Sequence, residues 1–238
     1  MTPLNSFSLF LAAGALLVSQ PAHAVEITGG SVGLSYSAFA DNTDFSRLGL
    51  DGSVELGFNR NLSVQADLGY SDFNASGLDS KSLGLHGIYH MDDATSFGAF
   101  YTMEDTGGDD VDIFGLEAGY ETGVWDFEGY LANADGATDD ATMVGIMGRF
   151  ELADGLGITG SYDRLDMNGG DLSRTALRLD RDVAPNANMF VEVGAARASA
   201  AGMSNSEAFV GFGGKISFGA DRGATFSARD TARLLPGL

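Results

Sequence analysis

The chain has 238 residues, a formal net charge of −20 at pH 7 and no cysteine. Without cysteine, disulfides and thiol catalysis are excluded. The acidic balance argues against a nucleic-acid partner, because phosphate binding needs Lys and Arg. Glycine, with 34 residues, is about twice as common as in average proteins.

The N-terminal residues have the pattern of an export signal. Residues 9–18 (LFLAAGALLV) are apolar, and Ala22-His23-Ala24 has the small-x-small pattern of a cleavage site. The apolar run is shorter than the roughly 20 residues that span a membrane, and a buried core helix is the alternative. We therefore expect a signal peptide over residues 1–24, cleaved after Ala24.

Short segments of alternating apolar and polar residues follow along the rest of the chain. In the first segment, Val32, Leu34 and Tyr36 alternate with Gly and Ser. A period of two gives a strand one apolar and one polar face. Segments of about 9 to 11 residues suit tilted strands that span a membrane. The predicted strands cover residues 31–38, 47–58, 62–70, 82–90, 97–104, 112–121, 124–132, 143–152, 156–163, 174–181, 188–196 and 208–218.

Aromatic residues mark the ends of these segments, and one row recurs about every 31 residues. Two aromatic rows around an alternating band are typical of a transmembrane β-barrel, in which they form girdles at the membrane interfaces. A secreted soluble β-sandwich is the alternative, since its strands also alternate. The predicted girdle residues are Tyr36, Phe58, Tyr70, Tyr89, Tyr101, Tyr120, Trp125, Phe150, Tyr162 and Phe218.

The connections between predicted strands alternate between short and long. Residues 59–61 and 122–123 form short connections, whereas residues 71–81 and 197–207 form long, polar ones. We therefore predict an all-β protein: a closed antiparallel up-and-down transmembrane β-barrel of about 12 strands, with short periplasmic turns and longer acidic outer loops. The tenth strand is the weakest, with only Leu177 and Leu179 apolar among arginines, so ten strands is the fallback.

The chain resembles small porin-like outer-membrane β-barrels of Gram-negative bacteria. Its last strand ends Gly213-Gly214-Lys215-Ile216-Ser217-Phe218, which is similar to the terminal signal read by the barrel assembly machinery. The resemblance implies location in the outer membrane, contact with its lipid and lipopolysaccharide, and that machinery as a partner. It divides the chain into the signal peptide (1–24), a barrel (25–218) and a periplasmic C-terminal tail (219–238).

The polar faces of the strands would line the barrel, and this lining is mostly acidic. Since charged rings set selectivity in pores, we expect a channel for passive diffusion of small hydrophilic solutes with a bias toward cations. The alternative is a non-conducting structural or adhesion barrel whose lumen is closed by ion pairs. The predicted pore-lining residues are Asp51, Glu55, Asp67, Glu117, Asp126, Glu128, Arg149, Arg178, Glu192 and Lys215.

Catalysis, metal and cofactor binding find little support in the sequence. After the leader only His86 and His90 remain, and neither is placed for lipid or peptide hydrolysis. We therefore predict no enzyme activity, no cofactor and no metal site. The tail has a net charge of +1, and either it frays or it folds back into the periplasmic mouth and gates the lumen.

Overall fold

The computed structural model describes residues 25–136, 140–153, 155–219 and 223–237. The predicted signal peptide, residues 1–24, lies outside this part of the chain. The described residues form a closed barrel of strands followed by a short 3-10 turn, Ala232–Leu234. The strands are β1 Glu26–Phe39, β2 Ser46–Asn59, β3 Leu62–Phe73, β4 Leu78–His90, β5 Thr95–Thr106, β6 Asp109–Thr122, β7 Trp125–Gly136, β8 Asp140–Ala153, β9 Leu156–Met167, β10 Gly170–Ala184, β11 Ala187–Ala200 and β12 Met203–Gly219.

Each strand pairs in antiparallel fashion with its neighbours in the chain, and β1 pairs with β12 to close the barrel. Closure leaves no edge strand with unpaired backbone groups, as the interior of a bilayer requires. The predicted twelve-strand antiparallel barrel is therefore confirmed.

β10 is a full strand despite its few apolar residues. It pairs with β9 from Arg181 to Gly170 and with β11 over nearly its whole length. Two of its arginines, Arg174 and Arg178, lie on the inner face, where they meet Glu192 of β11. Because the inner face of the barrel is polar here, β10 needs apolar side chains only on its outer face. A strand with few apolar residues can therefore still be part of the barrel.

The two faces of the barrel wall differ sharply in exposure. Leu68, Leu116 and Ile146 on the outer face are 64%, 68% and 64% exposed, whereas Gln65 and Glu117 on the inner face are 0% and 4% exposed. The apolar outer face is the reverse of a soluble protein's surface, although the interior also holds a buried apolar cluster that includes Phe100, Ile113 and Met143. The outer surface is therefore suited to hydrocarbon as solvent.

The strands extend further than predicted at one end of the barrel, and this corrects the expected loop lengths. The connections there contract to residues such as 40–45, 74–77 and 201–202, and we call this end the loop end. The acidic residues that flank the predicted strands continue the backbone pairing of the hairpins. Their side chains point into water beyond the apolar band, so the longer strands place these charges outside the membrane. Gly202, with a φ of 78°, permits the tight turn between β11 and β12.

The opposite end, which we call the turn end, carries the predicted short connections, such as residues 60–61 and 91–94. In the latter turn, Asp92 accepts backbone hydrogen bonds from Ala94 (2.9 Å) and Thr95 (2.7 Å). These N–H donors hold the pKa of the Asp92 carboxyl below its usual value.

The 3-10 turn Ala232–Leu234 is too short to traverse a bilayer, and no helix among the described residues is long and apolar enough to do so.

Candidate functional site in the barrel interior

The predicted pore-lining residues lie on the inner face of the wall, and many of them are paired. Glu192 binds both Arg174 and Arg178, the latter at 3.0 Å. Arg149 binds Asp180 at 2.7 Å. The first two pairs join the neighbouring strands β10 and β11, and the third reaches from β8 across β9 to β10. Much of the basic charge of the wall is therefore neutralised by carboxylates of the same wall.

Two of these arginines also pack on aromatic rings of the inner face. The guanidinium carbon of Arg178 lies 3.9 Å from the centre of the Phe190 ring, and that of Arg174 lies 4.8 Å from Phe209. Cation–π contact of this kind fixes a guanidinium flat against the wall.

A buried charge cluster surrounds His86 at mid-height in β4. Its Nδ1 lies 2.6 Å from Oε1 of Glu117, and its Nε2 lies 2.8 Å from Oδ2 of Asp67, the second contact being too poorly aligned for a hydrogen bond. The ring is stacked near Phe100 and Phe226, with centroids 5.5 and 6.5 Å away. A carboxylate at each nitrogen fits the doubly protonated imidazolium.

The C-terminal segment (residues 223–237) runs through the barrel. Near the turn end, Thr225 donates a backbone hydrogen bond to Oε2 of Glu55 at 2.8 Å. At the loop end, Oγ of Ser37 donates to the carbonyl of Pro236 at 2.7 Å. Buried residues are spread along the segment, including Phe226 at 3% and Leu234 at 2% exposed. It therefore occupies the lumen over most of its height.

Side chains of the wall satisfy the backbone of this segment. Gln65 accepts from the N–H of Phe226 at 3.1 Å and donates to its carbonyl at 2.7 Å. Glu104 accepts from the N–H of Thr231 at 2.7 Å and of Ala232 at 3.1 Å. These contacts stand in for the strand pairing that an extended chain inside a barrel lacks.

Arg229 is the more enclosed of the two cations in the segment, since its side chain is 8% exposed and that of Arg233 is 34% exposed. Its Nε donates to Oε2 of Glu117 at 3.1 Å, and its Nη2 binds Glu128. Its guanidinium carbon lies 4.4 Å from the centre of the Tyr130 ring. The hydroxyl of Tyr130 donates to Oδ1 of Asp163 at 3.0 Å, which fixes the ring from β9.

The segment packs closely on one half of the wall. A cavity of about 10 Å³ between it and the wall, lined by Arg47, Ser71 and Arg233 among others, has room for about one water. On the other half, the side chain of Arg178 is 39% exposed and Lys215 is exposed. Toward the turn end, the accessible part of the lumen therefore lies beside β10, β11 and β12, whereas toward the loop end Leu234 of the segment packs with apolar residues of β8 and β9.

Sequence reasoning left several interior residues out of the predicted lining. Glu104 continues the inward alternation of Gly98, Phe100 and Thr102 but stood at the end of its predicted strand. Arg229 belongs to a tail without any periodicity. The alternation could have identified Glu104, whereas nothing in the sequence pairs Arg229 with Glu117 across 112 residues.

The predicted girdle residues lie on the outer face near the two ends of the barrel. Tyr89, Tyr120 and Trp125 are 49%, 47% and 45% exposed toward the turn end, whereas Tyr70 and Tyr162 are 39% and 38% exposed toward the loop end. The remaining members share this outer face: Tyr36, Phe58, Tyr101, Phe150 and Phe218.

Within the described residues, no group of three or more His, Asp or Glu side chains could hold a metal ion. The acidic residues of the interior are instead directed at arginines, at His86 and at the C-terminal segment.

Comparison with known proteins places this architecture among porins. Residues 22–170 match the family model described as Gram-negative porin. No curated protein sequence matches significantly.

Solved structures share the barrel at low sequence identity, which shows the fold alone. The KdgM porin in complex with disordered oligogalacturonate is 12% identical, with a TM-score of 0.60 over 79% of this chain and 99% of that one. The NanC porin is 9% identical, with a TM-score of 0.60 over 79% and 98%. An outer membrane channel from Pseudomonas putida F1 is 13% identical, with a TM-score of 0.55 over 84% and 100%.

Proposed function

Because this chain belongs to the Gram-negative porin family, we propose that it is a channel through which small hydrophilic solutes diffuse passively, with a bias toward cations. The protein is a porin-like barrel of the outer membrane.

The excess of carboxylates on the inner face is the observation that supports the cation bias. Glu55, Glu104, Glu117 and Glu128 are buried or half-buried on this face, and carboxylates outnumber basic groups around it. The described part of the C-terminal segment adds Arg229, Asp230 and Arg233, which reduces this excess by one charge. A low-dielectric wall strengthens the attraction of such carboxylates for cations.

The C-terminal segment narrows the path and covers part of this acidic surface. With the segment in place, Glu104, Glu117 and Glu128 are engaged by it, and the accessible wall includes Arg178 and Lys215. Without it, the same carboxylates would face water. We therefore expect both the conductance and the cation preference to rise when the segment leaves the lumen.

A non-conducting barrel is the second candidate, and the filling of the lumen by the C-terminal segment favours it. Ion pairs on β8 to β12 and the segment on the other half of the wall together fill much of the interior. In that case the protein would act through its outer surface or its loops.

The decisive measurement is the single-channel conductance and reversal potential of the refolded mature chain, residues 25–238, under a KCl gradient. Discrete conductance steps with a reversal potential toward that of K⁺ would support the channel. A variant that ends at Gly219 serves as the comparison, and we expect it to conduct more and to prefer cations more strongly.

Two results would contradict the proposal. Silence from both chains, each shown to be folded by its heat-modifiable migration, would establish the non-conducting barrel. A preference for Cl⁻ in both chains would remove the cation bias while leaving the channel.

A further inference from the structure

The inner face of the barrel wall forms a binding site for a cation, and the C-terminal segment supplies the cation that occupies it. Glu117 of β6 and Glu128 of β7 direct their carboxylates to one point, and the ring of Tyr130 covers it. We call Glu117, Glu128 and Tyr130 the guanidinium site, since the group bound there is the guanidinium of Arg229.

The chemistry of the guanidinium site is selective for a planar cation. Two carboxylates can accept hydrogen bonds from different edges of a guanidinium, whereas an ammonium is a point charge without a flat face. The aromatic face of Tyr130 adds a cation–π contact. The side chain of Glu117 is 0% exposed and that of Arg229 is 8% exposed, so the pairing is shielded from solvent.

The walls of this site are held by the barrel itself. Glu117 also contacts His86 at 2.6 Å, and Tyr130 donates to Asp163. These contacts come from β4 and β9 and do not involve the C-terminal segment. The site should therefore persist when Arg229 withdraws, with Glu117 still held by His86 and with Oε2 of Glu117 and the carboxylate of Glu128 no longer bound to Arg229.

We propose that the guanidinium site binds free guanidinium compounds, such as arginine and its derivatives, and that Arg229 is a tethered ligand that such compounds displace. A compound that binds only the vacant site shifts the equilibrium toward the undocked segment. This inference rests on the proposed function in one respect, because displacement of the segment would open the channel to solutes of this class.

The segment forms other contacts that resist displacement. Gln65 and Glu104 bind its backbone, and Phe226 packs close to Gly119 and Gly98. Docking is an intramolecular event with a high effective concentration of Arg229. We therefore expect displacement at millimolar rather than micromolar concentrations of a free compound.

The test uses a cysteine placed in the segment, since the chain has none of its own. Ala228 is 8% exposed, so the thiol of Ala228→Cys should react slowly with a maleimide. L-Arginine amide should accelerate this labelling several-fold in the folded full chain. L-Lysine amide should do so less, and L-citrulline amide, whose side chain has a similar shape but no charge, should have no effect.

Two further variants make the result specific to the site. Arg229→Gln in the Ala228→Cys background should label rapidly without any ligand. The same Arg229→Gln chain should broaden the NMR signals of added arginine amide, and Glu128→Gln added to it should abolish that broadening. Equal acceleration by arginine and lysine amides, or no broadening with Arg229→Gln, would overturn the proposal.

The outcome can be separated from that of the channel measurement. Accelerated labelling in a protein that passes no ions would leave the guanidinium site standing and remove the proposed conduction. If the protein conducts ions but arginine amide does not change the labelling rate, the channel stands and the guanidinium site is removed.

Discussion

The buried charges of this barrel depend on contacts between specific pairs of residues. His86 is the clearest case, because each ring nitrogen lies near a carboxylate and its side chain is 0% exposed. An isolated buried charge is costly, and each partner here offsets the burial of the other. The single histidine therefore stabilises two carboxylates that belong to different strands.

Replacement of this residue should be strongly destabilising. His86→Leu removes the cation beside the buried Asp67, while Glu117 keeps Arg229. Breaking a buried ion pair typically costs about 3 to 5 kcal/mol. We expect the free energy of unfolding in urea, measured in lipid vesicles, to fall by about that amount.

His90→Leu is the matched control for this measurement. Its side chain is 21% exposed, and it contacts Ser63, Ser96 and, at 3.4 Å, Glu55. Because Glu55 keeps the backbone N–H of Thr225 as a partner, the loss should be closer to about 1 kcal/mol. Equal losses in the two variants would show that the cluster around His86 contributes no special stability.

At the scale of strands, the outer face determines how the barrel sits in a membrane. β6 places Leu116 at its middle and Tyr120 near the turn end, and β7 begins with Trp125. Trp125 packs on Phe150 with ring centroids 4.5 Å apart. Such aromatic residues suit the interface because one part of the side chain is apolar and another is polar.

Trp125 is the only tryptophan of the chain, so its fluorescence reports the depth of one strand end. We expect quenching by lipids brominated near the headgroup to exceed quenching by lipids brominated near the acyl end. Leu116→Trp in a Trp125→Phe background is the matched control, and deep bromines should quench it more. The opposite order in the native chain would contradict the predicted girdle.

At the scale of the whole molecule, the C-terminal segment extends through the barrel and ends at the loop end. Pro236 accepts a hydrogen bond from Ser37, and Gly237 lies against Phe45 of the connection 40–45. The barrel's last strand ends at the turn end, so the segment has crossed the height of the barrel. In the predicted orientation, its end lies near the cell surface.

Cysteine labelling of intact cells tests this path. Leu235→Cys and Asn42→Cys should both react with a membrane-impermeant maleimide from outside. Asn186→Cys, in the turn between β10 and β11, should react only after the outer membrane is permeabilised. Labelling of Leu235→Cys together with Asn186→Cys, rather than with Asn42→Cys, would show that the segment does not reach the loop end.

The strands of the barrel could be predicted from the sequence because each depends on local alternation. Val32, Leu34 and Tyr36 must share one face of β1 whatever the rest of the chain does, since the side-chain period of a strand is two. The lengths of the hairpins could not be predicted from the sequence, because acidic residues at strand ends are compatible with either a loop or a solvated extension of the strand.

The sequence by itself determined the twelve strands, the lipid-facing surface and the acidic inner face, because these follow from periodicity and strand length. Only the tertiary structure decided what fills the lumen. The C-terminal segment has no periodic pattern, and its position depends on long-range pairs such as Arg229 with Glu117 and Phe226 with Gln65. The β6–β7 hairpin alone brings Glu117 and Glu128 together, but only the closed barrel encloses the segment and holds Arg229 against them.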